Sequence, residues 1–404
     1  MIPEKVRNDF PLLRNNPELI YFDNAATSLK PDSVIEAVKS YYTEYGGNTG
    51  RGSHRITQKT SAKFDESRAE VAKFVGAEKD EMIFTKNATE SINIVAVSLE
   101  RMGLFKQGDE VIISKLEHHA NLVPWQQLCK RTGAKLKVAE LNKDFTLDMD
   151  DLREKVSRKT KMVAMAHASN TVASILPVKE IAKIAHDSGA LMLVDGAQSV
   201  PDFAVNVKKI DADFLAFSAH KMLGPTGIGA LYGKKELLEK MPPYNFGGAM
   251  ISKVSFGESE WAEPPAKFEA GTMQIAEAFG FAESVKYLKK LGIENVAEHG
   301  KRLLGHALEK MREIDGMKIY CPKNAEKQRS IVLFEIGGVD AVDLAVALDE
   351  GRKIAVRSGL HCAEPIVGSI NPKGLDRASF YFYNTMGEID AFAEEVAAVA
   401  KAFK

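Results

Sequence analysis

The chain has 404 residues, 45% of them hydrophobic and 27% charged, with a net charge of -1; such a chain builds a large core in two or three domains, and disorder is excluded. Neither sign of charge accumulates in long blocks, so nucleic acid and acidic membranes are not implied as obligatory partners, and a small-molecule substrate fits better. The start, Met1 to Lys5, lacks the apolar core of a signal peptide, and no apolar run approaches the ~20 residues of a membrane span, so the expected location is the cytoplasm.

From about residue 80 to 232, short apolar or β-branched runs alternate with longer amphipathic segments, the pattern of strands joined by crossover helices. Seven strands are predicted, at Glu81 to Thr85, Glu110 to Ser114, Lys135 to Ala139, Lys161 to Met165, Ala190 to Val194, Asp213 to Phe217 and Ile228 to Tyr232. Several are almost wholly apolar, as expected for an α/β fold whose mostly parallel sheet is covered on both faces. Between them, Val178 to Ser188 places Val178, Ile181, Ala182, Ile184 and Ala185 on one helical face, with Gly189 set to end it.

Residues 241 to 272 break the rhythm with Pro242, Pro243, Gly247, Gly248, Gly257, Pro264, Pro265 and Gly271, and read as a long ordered loop at a site rim or subunit contact. Beyond 276 a smaller α+β domain is expected. Its strands are placed near Met317 to Tyr320, Ser330 to Ile336, Ile354 to Arg357 and Ala378 to Phe382, and its helices near 340 to 350 and 387 to 402. The expected division is an N-terminal segment, 1–20, packing on the small domain, a large domain over 21–275, and the small C-terminal domain over 276–404.

In an open α/β sheet, ligands bind beyond the carboxyl ends of the strands. Polar residues cluster there: Asn87 to Glu90, Glu117 to His119, Ser169-Asn170, Asp195 to Gln198 and Ser218 to Lys221. Asn87 and Glu90 have capping-box spacing, so a helix from Ala88 would offer free N–H groups and the Thr89 hydroxyl to an anion such as phosphate, or would simply be capped. His118 could stack on a flat ring or sit in a surface loop. Asp195 closes a buried strand, where an ionised carboxylate needs a cationic partner, although it could also cap its own loop. Lys221 could be a solvated lysine, but Ser218 and His220 beside it are natural phosphate donors. A lysine amine joins an aldehyde cofactor as a Schiff base, and an acidic partner keeps a pyridine nitrogen protonated; together Lys221 and Asp195 suggest pyridoxal 5'-phosphate (PLP). Cys129, Cys321 and Cys362 lie far apart without C-x-x-C spacing, which suits neither a disulfide framework nor a metal site. Cys129, on an amphipathic helix, and Cys321, before Pro322, read as packing residues, whereas Cys362 has polar, glycine-bearing neighbours.

Over nearly its whole length the chain resembles the class V aminotransferase-like PLP enzymes of fold-type I, and within them the type II cysteine desulfurases, close relatives of the selenocysteine lyases. The resemblance runs from Tyr21-Phe22-Asp23-Asn24-Ala25-Ala26 and Arg51-Gly52-Ser53-His54, through Glu117-His118-His119-Ala120-Asn121 and Val194-Asp195-Gly196-Ala197-Gln198, to His220-Lys221-Met222-Leu223-Gly224-Pro225-Thr226-Gly227. Its most specific pieces are Arg357-Ser358-Gly359-Leu360-His361-Cys362-Ala363 and Arg377-Ala378-Ser379.

The resemblance implies that Lys221 is the Schiff-base lysine and proton shuttle, that Asp195 pairs with the pyridine nitrogen, that His118 stacks on the ring and that Gln198 bonds the phenolic oxygen. Ala88, Thr89, Ser218 and His220 would hold the phosphate, with Thr272 supplied by the second subunit of a homodimer. Asn170 and Arg377 would grip the substrate amino acid, Arg377 clamping its carboxylate, and Cys362 would be the nucleophile. Arg357 and His361 are candidates to favour its thiolate. The implied reaction converts L-cysteine to L-alanine with a persulfide on Cys362, passed to an acceptor or scaffold protein for iron–sulfur cluster or other sulfur-cofactor assembly. Selenocysteine lyase, cysteine sulfinate desulfinase or another class V lyase or aminotransferase are the alternatives. Two departures border the expected substrate or dimer contact. Asn170 is followed by Thr171-Val172-Ala173-Ser174 where relatives often have a glycine, and Thr272 by Met273-Gln274 where Pro-Asn is usual.

Overall fold

A computed structural model of the chain describes residues 2, 4–50 and 52–402. The chain enters through a two-residue strand, β1 (Ile20–Tyr21), and then builds β2 (Met82–Thr85), β3 (Glu110–Ser114), β4 (Lys135–Ala139), β5 (Thr160–Ala166), β6 (Leu191–Asp195), β7 (Phe214–Ser218) and β8 (Gly229–Gly233). The last seven form one sheet in the order β2-β8-β7-β6-β5-β3-β4. Only β8 runs antiparallel to its neighbours, β2 and β7; all other pairs are parallel. Each predicted strand is present to within one residue at either end.

β2, β3, β7 and β8 are buried throughout because helices cover both faces of the sheet. One face packs under Phe64, Val71, Ile181, Ala185 and Phe281, the other under Ile92, Val95, Leu99, Trp125 and Leu128. Edge strand β4 is the half-exposed exception, and there Lys137 lies along the edge with its ammonium 2.8 Å from Glu110. The predicted helix spans Val178–Asp187 and is followed by Gly189 in the left-handed region (φ 82°), its N–H donating to His186 O.

The segment expected as loop differs in part. It carries a hairpin, β9 (Ile251–Val254) and β10 (Ser259–Trp261), with Val254, Phe256 and Trp261 all exposed. A hairpin that covers no core has no buried face, so its sequence lacks the alternation that marks a strand.

The C-terminal part holds β11 (Met317–Tyr320), β12 (Ile331–Ile336), β13 (Ile354–Ala355), β14 (Arg357–Gly359) and β15 (Leu375–Ser379). β11-β12-β15-β14 form an antiparallel sheet over Leu303, Ala307, Leu348, Phe392 and Val396 from the helices Ile293–Arg312, Ala341–Arg352 and Met386–Ala402. The single strand expected near 354 to 357 is two: β13 pairs in parallel with β1, and β14 joins the sheet. The last strand lies three residues earlier than expected at both ends, because Asp376-Arg377 reads as surface polarity yet both side chains are buried. Residues before β1 also meet this part: the Phe10 ring lies 4.7 Å from that of Tyr383, and Arg7 pairs with Glu388 at 2.8 Å.

Candidate active site

Parallel strands in register end level with one another, which brings distant loops together. Ala166 pairs with Asp195 and Asp195 with Ala216, so β5, β6 and β7 deliver their following residues to one edge. A cavity of ≈ 250 Å³ opens there, lined by Ala88, Thr89, His118, Asn170, Asp195, Gln198, Ser218, His220, Lys221, Arg357, Cys362 and Arg377. Twelve of the thirteen predicted site residues therefore share one space. Thr272 is not among its lining; it is exposed and accepts a hydrogen bond from Asn48 Nδ2 at 3.2 Å. Arg51 lies outside the described residues.

At one end, Asn87 caps the helix Ala88–Arg101 by accepting from Glu90 N at 3.0 Å, while the Glu90 carboxylate turns back to Lys86 N at 2.6 Å, not to Asn87 N. Ala88 N–H donates to Ser218 Oγ at 2.9 Å, joining the ends of β2 and β7. Gly229 sits between them in β8, opposite both Thr85 and Ser218, and a Cβ there would fall 2.6 Å from Asn87 Cα. A bare backbone is what lets the helix start and Ser218 close on one another. The His220 carbonyl accepts from Ser28 N and Thr27 Oγ1, which pins the turn that carries Lys221.

Burial pushes Lys221 down to about 8 against the pull of Asp195, so a neutral amine is accessible near physiological pH. Asp195 is 6% exposed, accepts from Ala197 N at 3.0 Å, and is raised by burial. His118 accepts from Ala120 N through Nδ1, and burial with Lys221 nearby drives it down to about 3, so its proton sits on Nε2 and the ring is neutral. Beneath it, buried Glu117 accepts from Ser114 Oγ, Asn121 Nδ2 and Ala166 N.

At the other end, Arg377 projects from β15, donating to Asn170 O at 3.0 Å, and Asn170 Nδ2 donates to His361 O at 2.8 Å. Cys362 is exposed, at φ 53°, its carbonyl accepting from His119 N at 2.8 Å. His361 and Arg357 differ in charge. His361 Nε2 is bonded to Leu375 O at 2.9 Å and burial lowers it to about 3, so it is neutral; Arg357, a guanidinium, lines the same cavity. Cys129 is buried and pushed up to about 11, and Cys321 is half-buried and raised, as packing residues should be. Ala173, in the segment after Asn170, takes φ 65°, a conformation that costs a residue with a Cβ about 1 kcal/mol.

Sequence reasoning gave no role to Arg329, Asp23 or Glu117, although Asp23 and Glu117 lie in the segments it singled out. Arg329 Nη1 donates to Gln198 Oε1 and its Nε to Asp202 at 2.8 Å; Asp23 pairs with Arg377 at 2.9 Å. Arg329 and Asp23 are ordinary polar residues far along the chain from their partners, whereas Glu117 bonds Ser114 and Asn121 close by and reaches a distant partner only in Ala166 N.

The donor set fits PLP. Asp195 is a buried carboxylate with a single backbone donor and room for a cationic N–H; Ser218, His220 and the helix start form an anion end; His118 is a neutral flat ring; Gln198 keeps an N–H for an acceptor. Among the described residues no group of His, Cys, Asp or Glu could hold a metal ion, and no helix is long and apolar enough to cross a membrane.

Comparison with known proteins agrees. Residues 20–392 match the class-V aminotransferase family. A cysteine desulfurase of Haloferax volcanii is 42% identical, covering 99% of this chain and 97% of that one, and a probable cysteine desulfurase of Halalkalibacterium halodurans is 44% identical, covering 98% and 97%. The apo structure of a cysteine desulfurase from Thermococcus onnurineus NA1 superposes with a TM-score of 0.95 at 41% identity, covering 100% of this chain and 99% of that one. With a lysine and a buried carboxylate in one cavity, a cysteine at its mouth and matches along nearly the full length, the chain belongs to the class-V aminotransferase family and, within it, to the cysteine desulfurases.

Proposed function

We propose that the protein removes sulfur from L-cysteine with PLP, leaving a persulfide on Cys362 and releasing L-alanine. The observation that carries this reading is that Cys362, Arg377 and Lys221 line one cavity, so a thiol can reach the sulfur of an amino acid whose carboxylate is held and whose α-carbon faces the lysine.

When bound, PLP supplies an electron sink that weakens the bonds around the substrate α-carbon and, beyond it, the carbon–sulfur bond. Lys221 Nζ, neutral above about pH 8, takes the α-proton and hands it on within the cavity. Asp195 would keep a proton on the pyridine nitrogen, His118 and Gln198 would hold the ring, and Ala88, Thr89, Ser218 and His220 would hold the phosphate. Thr272 joins them from a second copy of the chain. Arg377 receives the substrate carboxylate as a fork, and Asn170 steadies the same end. Cys362 Sγ, as thiolate, attacks the substrate sulfur: a sulfur–sulfur bond forms, the carbon–sulfur bond breaks, and its electron pair stays with the carbon skeleton that becomes alanine.

The cofactor-holding domain then runs from 21 past the expected boundary at 275, because the helix Ile275–Leu291 packs Phe281 on the large sheet; the elements from Ile293 onward form the domain carrying the nucleophile, with 1–20 a strap against it. A homodimer is supported by the exposed Phe246, Val254, Phe256 and Trp261 beside the Thr272 segment. An acceptor thiol would collect the sulfur from exposed Cys362, and three free cysteines suit the reducing cytoplasm. Purified protein incubated with L-cysteine and a reductant should yield sulfide and alanine in equal amounts, lost in Lys221→Ala and in Cys362→Ala. No alanine from the wild type, with or without an acceptor thiol, would sink the reading.

A further inference from the structure

Arg377 and Arg357, the two guanidinium groups of the cavity, share a single carboxylate that is not itself part of the cavity wall. Asp23 Oδ1 lies 2.9 Å from Arg377 Nη2, and Asp23 Oδ2 lies 3.6 Å from Arg357 Nε. Among the described residues no other carboxylate pairs with either arginine. Arg377 is 2% exposed, and a guanidinium so placed needs a counter-charge to remain both ionised and in one orientation. The like charge of Arg357 works against it, and Asp23 opposes both effects.

The remaining atoms define which edge of the fork is free. Arg377 Nη1 is occupied by Asn170 O at 3.0 Å and Nη2 by Asp23, while Nε is buried without a partner. An orphaned buried N–H calls for an explanation, and a substrate carboxylate meeting Nε and the Nη2 hydrogen that Asp23 leaves supplies one. Asp23 is itself held by backbone. It forms a parallel bridge with Ser379, two residues along β15 from Arg377, while Ser379 N donates to Phe22 O at 2.7 Å and Ala25 N to Ser379 Oγ at 2.8 Å.

We propose that Asp23 is the positioning residue of the substrate site, one carboxylate that holds Arg377 and Arg357 in register so that the free edge of Arg377 meets the substrate carboxylate. This rests on the cysteine desulfurase reading and deepens it. Asp23 touches neither substrate nor cofactor, so its removal should be felt in substrate affinity and not in the chemical step.

The test compares the PLP-loaded wild type with Asp23→Asn, using L-cysteine and L-cysteine methyl ester, which lacks the carboxylate charge. Asp23→Asn should raise KM for L-cysteine about tenfold with kcat changed by less than about threefold, and should leave KM for the ester unchanged, because the ester has no carboxylate to misplace. Asp23→Glu, which keeps the charge and moves it by one methylene, should fall between the two; if Asp23→Asn does not hold PLP, the same cysteine-against-ester comparison is read on it. An unchanged or lowered KM for L-cysteine, or an equal loss on the ester, would overturn the proposal. A wild type that releases no alanine would instead overturn the reading on which it rests.

Discussion

Arg329 donates through Nη1 to the side-chain oxygen of Gln198, across the junction between the C-terminal sheet and the cavity. With Oε1 taken, the amide cannot flip: Nε2 gives one hydrogen to Ala25 O at 2.9 Å and keeps the other for the cavity. Arg329 is fixed in turn by Asp202, with both side chains under 10% exposed. Arg329→Lys keeps the charge but loses the planar fork that serves both partners. The amide of Gln198 then turns freely, and the dissociation constant for PLP should rise about tenfold, equivalent to about 1.4 kcal/mol, as read by equilibrium dialysis. An unchanged constant would mean that Gln198 is oriented by Ala25 alone.

How much of this was legible from sequence follows from what each residue's partners are. Asp195 and Lys221 follow strands that alternation and apolar content reveal, and the rule for strand ends then places them together. Arg329 and Asp23 escape that logic, because what marks them is a partner that only the tertiary fold supplies. Arg377 shows the same limit within one strand: a charged pair in β15 looks like a turn, so the strand was placed three residues late. The hairpin β9–β10 was hidden for the opposite reason, since it buries nothing and leaves no period. Ala173 shows that a left-handed φ can be imposed on a residue with a Cβ by the surrounding chain, here where Arg329 N donates to Ala173 O at 2.9 Å, and nothing in the local sequence marks it.

Cys362 stands in a loop tied down by His119 N–H on its carbonyl and by Glu364 N–H on His119 Nε2. Its side chain is not needed for that anchoring. Cys362→Ala should therefore bind PLP normally and still change its absorption on adding L-cysteine, yet lose sulfide release by at least about 100-fold, as expected when a nucleophile is removed. Retention of more than a tenth of the wild-type rate would assign the nucleophile elsewhere.

Lys221 is depressed to about 8 chiefly by burial, assisted by the charges of Arg377 and Arg329 and opposed by Asp195. Only the neutral amine attacks an aldehyde. The rate at which cofactor-free protein takes up PLP should thus climb about tenfold per pH unit below 8 and level off above it. An ordinary lysine would keep climbing to about pH 10, so the position of the plateau, followed by absorbance, decides the matter.

Beneath the phosphate end of the cavity, Arg68 and Glu269 form a buried bidentate pair, 5% and 7% exposed, at 2.5 and 2.8 Å. Glu269 also accepts from Phe84 N, and Arg68 donates to Met82 O, so the pair fastens β2 on the side away from its partner β8. The guanidinium packs 4.7 Å from the centre of the Phe84 ring. Glu269→Ala strands a buried cation and an unpaired N–H, and should destabilise the fold by about 3–5 kcal/mol in urea unfolding. Adding Arg68→Met removes the stranded charge and keeps the packing of the stem. The double variant should recover more than half of that loss, an interaction of about 2 kcal/mol between the two sites. Simple addition of the two single effects would show that Arg68 is held by Met82 and the rings, with Glu269 contributing little to it.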